Sequence, residues 1–576
     1  MQREIKRRAQ LYALAAILLA ITISALCYNL GALPTSLIEW REEPKFLKTF
    51  KTYEEIRNFI IEKSSNPPII VWSNFEAYQL RVNLEYSTTN IQVAGVDEDD
   101  IVKTDGEHIY AIANNTVFIL KAYPPREARI LSKITFKENI NPIGIFISSN
   151  GGKIAVLGST YYGLIPRFTS YYAENVFTTI YVYDISDKTK PTLERNFTIT
   201  GRYFGSRMVD EYIYVVVGQP AYVIYDTVIL PKIYKDREVM EVRPEQIYYF
   251  PNASDRSYIF TSITAINIAN KREEPNVLTV MMGETGSLYA SRENLYITFH
   301  DKPNQTSILK VRIDRGQLKF EAKGTVLGTE INQFSMDEYE GYFRIATTTW
   351  EGGETWNNIY VLDEKMNIIG NLTNIAIGEA IDSARFMSDR CYLATSVAWK
   401  DPFFVIDLKD PRAPKVLGYL KIPGFTRYLH PYDENYVIGI GRDENNNLRI
   451  SIFDVSNTAN PIEVSSYVIK GEWVDTLALS DHKAFLFDKQ KEIMAMPVSI
   501  IDGLRWQGAY IFRITLDHRI DLKGRISHQE ESGRQDPSRW VKRTLYIDDV
   551  IYTVSEAKVR MNKLGDITLI GDINLS

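Results

Sequence analysis

From about residue 90 onward, apolar residues fall in short runs closed by Asp, Asn, Gly or Pro. The pattern is clearest between Ala384 and Tyr436, where SARFMSD, RCYLATSV, PFFVIDL and KVLGYLK follow one another. Runs so rich in Val, Ile, Tyr, Phe and Leu, with turn residues between them, predict four short β-strands. The turn between the first and second strand recurs nine times, at positions 105, 151, 210, 293, 340, 389, 434, 481 and 548. The intervals are 46, 59, 83, 47, 49, 45, 47 and 67 residues. Five of the eight lie between 45 and 49, within the roughly 40–50 residue period of propeller blades. A second mark closes the third strand, where YDISDKTKP, IDLKDPRAP and FDVSNTANP end at Pro191, Pro414 and Pro461. Proline there ends the ladder and sets the turn into the fourth strand.

Such units cannot bury both faces alone and must stack radially. The fold expected is all-β, a single large β-propeller over 89–576 with nine four-stranded units, or eight if one is irregular. Closure should bring the strand near Ile101 beside the unit that ends in DITLIGDI, because open end blades would leave long unpaired edges.

Upstream the pattern changes. No charged residue occurs from Ala9 to Ile38, and the run follows Arg3, Lys6, Arg7 and Arg8. As a helix, thirty residues would cover ~45 Å, more than a bilayer core needs. The reading is a cytoplasmic tail over 1–10, a transmembrane signal anchor over 11–33 and an extracytoplasmic remainder. A cleaved signal peptide is the competing reading, with its small-residue sites inside the apolar run. Residues 34–88 read as a stalk with one helix near 53–63. There Thr52 and Glu55 form a capping box, and Tyr53, Ile56 and Ile60 recur at helical spacing.

Several blocks resemble a known family, secreted proteins with a C-terminal β-propeller domain distantly related to WD repeats. They include TNIQVAGVDEDDIVKTDG, FSMDEYEGYFRIAT, DPFFVIDLKDPRAPKVLGYLKIPGFTRYLHPY and DHKAFLF, within about residues 50–530. The resemblance implies an extracytoplasmic propeller behind a signal or anchor. It brings no established activity, so no functional residue carries over from it.

Composition narrows the function classes. A net charge of −6, from 66 basic and 72 acidic residues, gives no electrostatic footprint for nucleic acid. Two cysteines, Cys27 and Cys391, offer neither a disulfide framework nor a thiolate metal site. No nucleophile elbow, Walker A, HExxH or CxxC motif occurs. Asp97, Glu98, Asp99 and Asp100 are hard oxygen donors suited to Ca²⁺, with Asp97, Asp99 and Asp100 as candidate ligands. Val102 stands where an EF-hand requires glycine, and a turn paired with basic residues is the alternative. His430 and His482 fall on neighbouring units at one face near the axis, as the start of a metal or acid/base site or as loop-holding residues.

The stronger signal is aromatic. Trp350, Trp356, Trp399, Trp506, Tyr171 and Tyr172 sit in connections between second and third strands, all on one face. Aromatic residues there either pack down as a lid or present anchors to a partner. The expected function is a membrane-anchored binding or scaffold module for a protein or glycan at the cell surface. The alternative is a hydrolase or metal-dependent enzyme at the channel mouth.

Overall fold

The computed structural model describes residues 46–63, 87, 89–161, 176–235 apart from 225, 238–252, 258–396, 400–515, 517, 519–530 and 535–575. The uncharged run over 11–33, with Cys27, lies outside the described residues, as do Tyr171, Tyr172 and Trp399. Among the described residues no helix is long and apolar enough to cross a membrane.

The apolar runs form antiparallel meanders, each burying both faces against its neighbours. Among the described residues nine such sheets follow in chain order. They begin at Val102–Thr104, Ile140–Ile147, Arg202–Val209, Thr285–Ala290, Met336–Tyr339, Ala380–Met387, Phe425–Pro431, Trp473–Thr476 and Arg543–Ile547. Eight contain four continuous strands. In the eighth sheet along the chain the inner strand is in two pieces, Trp473–Thr476 and Leu486–Asp488, both paired with Ile493–Asp502. That break corrects one position of the repeat. The polar stretch at Asp481 is no surface turn but an interruption of the inner strand, built from the 3-10 turns Leu477–Leu479 and His482–Ala484. The chain reverses instead between Asp488 and Ile493.

Elsewhere the turn chemistry is as local sterics require. Val209 pairs with Tyr212, Tyr339 with Tyr342, Met387 with Arg390 and Ile547 with Val550. The two-residue turns between them hold Asp210, Glu340, Ser388 and Asp548 at φ of 53°, 51°, 49° and 53°. Left-handed turn residues match the twist of a hairpin. At the third-to-fourth-strand turns, Asp184, Asp407 and Asp454 each accept a hydrogen bond from the backbone N–H two residues on, at 2.9–3.0 Å. This is the physical content of the repeated YDIS, IDLK and FDVS strings.

Adjacent sheets share apolar layers around the ring. The first packs on the second through Tyr110, Ile119, Ile145 and Val156. The last packs on the first through Tyr552, Val559, Ile109 and Phe118, and the Tyr552 hydroxyl donates to the Ala122 carbonyl at 2.8 Å. The result is one closed β-propeller. The four strands of the first sheet are consecutive in the chain, as are those of the last, so the ring closes by packing and not by strand exchange.

A long insertion after Tyr212–Pro220 covers two outer edges. Lys232–Lys235 and Glu238–Glu241 extend the second sheet, and Ile247–Tyr249 with Lys48–Thr49 extend the third. Covered edges cannot template pairing with another chain. The helix Tyr53–Lys63 lies on this insertion, with Ile56 and Ile60 buried among Phe50, Val228 and Phe260. Thr52 Oγ1 accepts from the Glu55 N–H at 3.2 Å, while Glu55 reaches back to the Lys51 N–H at 2.7 Å. Thr52→Ala is expected to cost about 1 kcal/mol, read as faster amide exchange across the first helical turn. Unchanged exchange would mean that Ile56 and Ile60 alone hold the helix.

Candidate functional site

The first strand of each sheet faces the axis, and the opening there is closed by the chain itself. Residue 87 and residues 89–101 run around the inner wall before entering the first sheet. Ser87 and Tyr546 of the ninth sheet exchange hydrogen bonds, at 2.9 Å from the Ser87 N–H and 2.7 Å from the Tyr546 N–H. Asn90 Nδ2 donates to the His482 carbonyl at 2.5 Å and the Tyr428 hydroxyl at 3.2 Å. Gln92 Nε2 donates to the carbonyls of Gln333 and Met336 at 3.0 and 2.9 Å. Val96–Asp97 then pairs with Met208 and Val209, and Asp100 bridges to Ile145. One short segment thus touches the ninth, eighth, seventh, fifth, third and second sheets.

Its four acids are buried, and each meets a donor or cation. Asp97 Oδ1 lies 2.6 Å from Lys103 Nζ, and Glu98 Oε1 lies 3.5 Å from Arg207 Nε. Asp99 Oδ1 accepts from Tyr203 at 2.7 Å and from Ser206 at 2.9 Å, while Lys483 Nζ donates to the Asp99 carbonyl. Asp100 Oδ1 lies 2.9 Å from Arg543 Nε, and Arg543 also holds Asp481 at 2.5 Å. Lys103, Arg207, Lys483 and Arg543 thus bring positive charge from the chain itself to the run. Among the described residues no group of three or more His, Cys, Asp or Glu is placed to hold a metal ion. Burial still dominates Glu98, pushing its carboxyl up to about 8 against the pull of Arg207 and Lys483. Asp97 is raised too, by burial opposed by Lys103.

The plug leaves a chamber on either side. One, of about 480 Å³, lies at the first-to-second-strand turns and is walled by Asp105, His108, Asn150, Lys188 and Arg543. The other, of about 800 Å³, lies at the beginnings of the first strands, and Arg202, Tyr203, Phe204, Phe334, Arg427 and Tyr428 line it. Because first and second strands are antiparallel, this upper chamber opens on the same face as the second-to-third-strand hairpins.

His430 and His482 are both buried, at 4 % and 5 % exposure. Tyr428 links them: its hydroxyl lies 3.0 Å from His430 Nδ1, and the Phe334 ring packs edge-on against both Tyr428 and His482. Burial, with Arg385 nearby, holds His430 well below the usual histidine range, so it is a neutral member of an aromatic cluster at neutral pH. His482 lines the upper chamber, because the break in the eighth sheet's inner strand carries it away from the turn where the repeat alone would put it.

The tryptophans extend strands where the sequence suggested loops. Trp350 and Trp356 lie in the hairpin Tyr342–Glu351 and Glu354–Leu362, turned by Gly352 and Gly353 at φ of 62° and 88°. Trp350 is 49 % exposed, whereas Trp356 is half-buried. Trp506 is half-buried too, edge-on to Tyr510 at 5.4 Å with Arg525 5.3 Å over its ring.

The model of the beta propeller domain family matches residues 86–567, which takes in the plug as well as the sheets. The chain belongs to that family. Two relatives, both called uncharacterized, are 28% identical to this propeller. One, from Methanocaldococcus jannaschii, matches over 88% of this chain and 89% of its own. The other, from Archaeoglobus fulgidus, matches over 93% and 96%. A solved structure of a Lactobacillus plantarum protein is 12% identical and covers 56% of this chain and 94% of its own, at a TM-score of 0.32, too low to carry an argument.

What sequence reading misses in this propeller is the set of partners of the acidic run. Lys103 is close in sequence, but Arg207, Lys483 and Arg543 come from three distant sheets. Their one common signal is a basic residue in an apolar inner strand or its interruption, a position where an unpaired charge is expensive. Trp473, 46 % exposed at the start of the eighth sheet's inner strand, is missed as well, because it follows a fourth-to-first connection and not a second-to-third one.

Proposed function

We propose that this propeller is a binding module, anchored by the run over 11–33 to a membrane, with the propeller on the extracytoplasmic side. It takes a protein or glycan partner on the face of the second-to-third-strand hairpins. The observation that carries this reading is the upper chamber, a recess of about 800 Å³ floored by the plug and walled by aromatic and guanidinium groups. About half of its wall is polar, so it offers hydrogen-bonding and charged groups beside aromatic ring faces. Large apolar side chains stand exposed on the same face: Trp350 at 49 %, Ile377 at 66 %, Trp473 at 46 % and Leu504 at 83 %. They are placed as anchors of the kind that dominate binding energy.

The test is capture of partners from native membranes by the purified chain. Trp350→Ala with Trp473→Ala is expected to abolish capture while changing unfolding free energy by less than about 1 kcal/mol, since both rings are half in water. Capture that survives this pair but is lost on changing Lys188 and Asn150 would move the site to the lower chamber.

A further inference from the structure

Asn-x-Thr is the acceptor pattern for an N-linked glycan. Among the described residues four such triplets are complete: Asn114-Asn115-Thr116, Asn196-Phe197-Thr198, Asn304-Gln305-Thr306 and Asn371-Leu372-Thr373. A sugar can join only an amide that is free, in a chain that can bend so that the threonine hydroxyl comes beside that amide. Three of the four fail one of these conditions. Asn304 Nδ2 donates to the Trp350 carbonyl, and the buried Thr306 hydroxyl lies 2.7 Å from the Gly328 carbonyl and 3.0 Å from the Glu330 carboxylate. Beside Asn196, Phe197 and Thr198 are paired on both sides, with Ile180 and Thr179 in one neighbouring strand and Lys235 and Tyr234 in the other, so no bend is open to them. Asn114 is exposed at a hairpin tip, but Thr116 is buried, with its hydroxyl 3.2 Å from Thr135 Oγ1.

Asn371 meets both conditions. It lies in Ile368–Ile375, the outermost strand of the fifth sheet, which is paired along one edge and open along the other. Asn371 and Thr373 are both exposed. Neither side chain has a hydrogen bond or an ion pair among the described residues. The strand also bulges at the triplet. Asn357 stands opposite Ile375 and Ile359 opposite Leu372, so the outer strand carries one residue more than its partner there, and Asn374 follows at φ of 61°. A bulge on an open edge gives up little pairing when it bends further.

We infer that Asn371 carries an N-linked glycan. The inference rests on the extracytoplasmic placement proposed for the propeller and adds a covalent modification to it. In the transfer a bond forms between Asn371 Nδ2 and the anomeric carbon of a lipid-borne glycosyl phosphate. That carbon's bond to the phosphate oxygen breaks, the amide proton goes to the leaving phosphate, and nothing is oxidised or reduced. Ile368 stands 43 % exposed on the same open strand. A bulky polar sugar beside it keeps that edge from templating pairing with another chain.

The experiment is peptide mass spectrometry of the full chain purified from its native membranes, alongside protease treatment of intact cells. The peptide holding Asn371 is expected to carry saccharide mass increments in most copies, with the Asn114, Asn196 and Asn304 peptides recovered bare. Asn371→Gln and Thr373→Ala should each abolish the increment, and Thr373→Ser should keep it. All three variants should give the parent's circular dichroism spectrum, because neither side chain is packed. A bare Asn371 peptide from a chain that external protease digests overturns the glycan and leaves the placement standing. A bare peptide from a chain fully protected in intact cells overturns the placement and the glycan together. An increment that survives Thr373→Ala, or one on Asn304 or Asn196 in place of Asn371, overturns the argument from a free amide beside a free hydroxyl.

Discussion

Arg543→Ala is expected to lower the unfolding free energy by about 3–5 kcal/mol, which would be a large share of the whole stability of a typical folded chain. Arg543 is 5 % exposed and its partner Asp100 is 3 % exposed. Its Nε lies 2.9 Å from Asp100 and a terminal nitrogen 2.5 Å from Asp481. Those two carboxylates belong to the plug and to the interrupted strand of the eighth sheet, while Arg543 opens the ninth. The substitution therefore removes one side chain and strands two acids, at the place where the ring closes. Urea denaturation gives the loss, and the double variant Asp100→Asn with Arg543→Met separates its causes. If the penalty is mainly the abandoned carboxylate, the double variant should recover more than half of it, because a neutral packed pair often replaces a buried ion pair at little cost. A loss below about 1 kcal/mol in the single variant would show that water reaches Asp100 and that the clasp is weak.

The same region marks the boundary of what is legible in the sequence. The sheets are legible because each is a local event: an alternating run, an Asp or Gly turn and a second run fix a hairpin within a short stretch of chain. Asp210, Ser388 and Asp548 sit in left-handed turns, as their place between two apolar runs suggests. Asp481 reads the same way from the sequence, yet it lies in the broken inner strand and meets Arg543, because whether a polar gap is a turn or a break depends on where the next reversal falls. The acidic run is visible as an anomaly, and its neutralisation is not. Lys103, six residues after Asp97, is a basic partner close to the run in sequence. Arg207, Lys483 and Arg543 stand far down the chain and become its neighbours only when the ring closes.

Glu98 gives the second large effect, and its sign follows from burial. The carboxyl is 2 % exposed, and its Oε2 has no hydrogen-bond partner among the described residues. Burial raises it from an ordinary 4.5 to about 8, with Arg207 and Lys483 pulling the other way and Asp99 and Asp97 adding to the rise. The folded state therefore holds a proton that the unfolded chain releases at lower pH. Its contribution to stability is complete below 4.5 and is lost as the pH rises through about 8. Across that window the loss is on the order of 5 kcal/mol, at about 1.4 kcal/mol for each pH unit. Glu98→Gln keeps the shape and the contact with Arg207 but has no proton to lose. Unfolding free energy measured from pH 5 to pH 9 should fall for the parent chain relative to this variant, with the two curves diverging above about pH 5. Groups that titrate in both proteins cancel in the difference, which isolates Glu98. Parallel curves would show that Glu98 ionises in place at no cost, with Lys483 and Arg207 repaying its burial, and the plug would then be held by charge instead of by a proton.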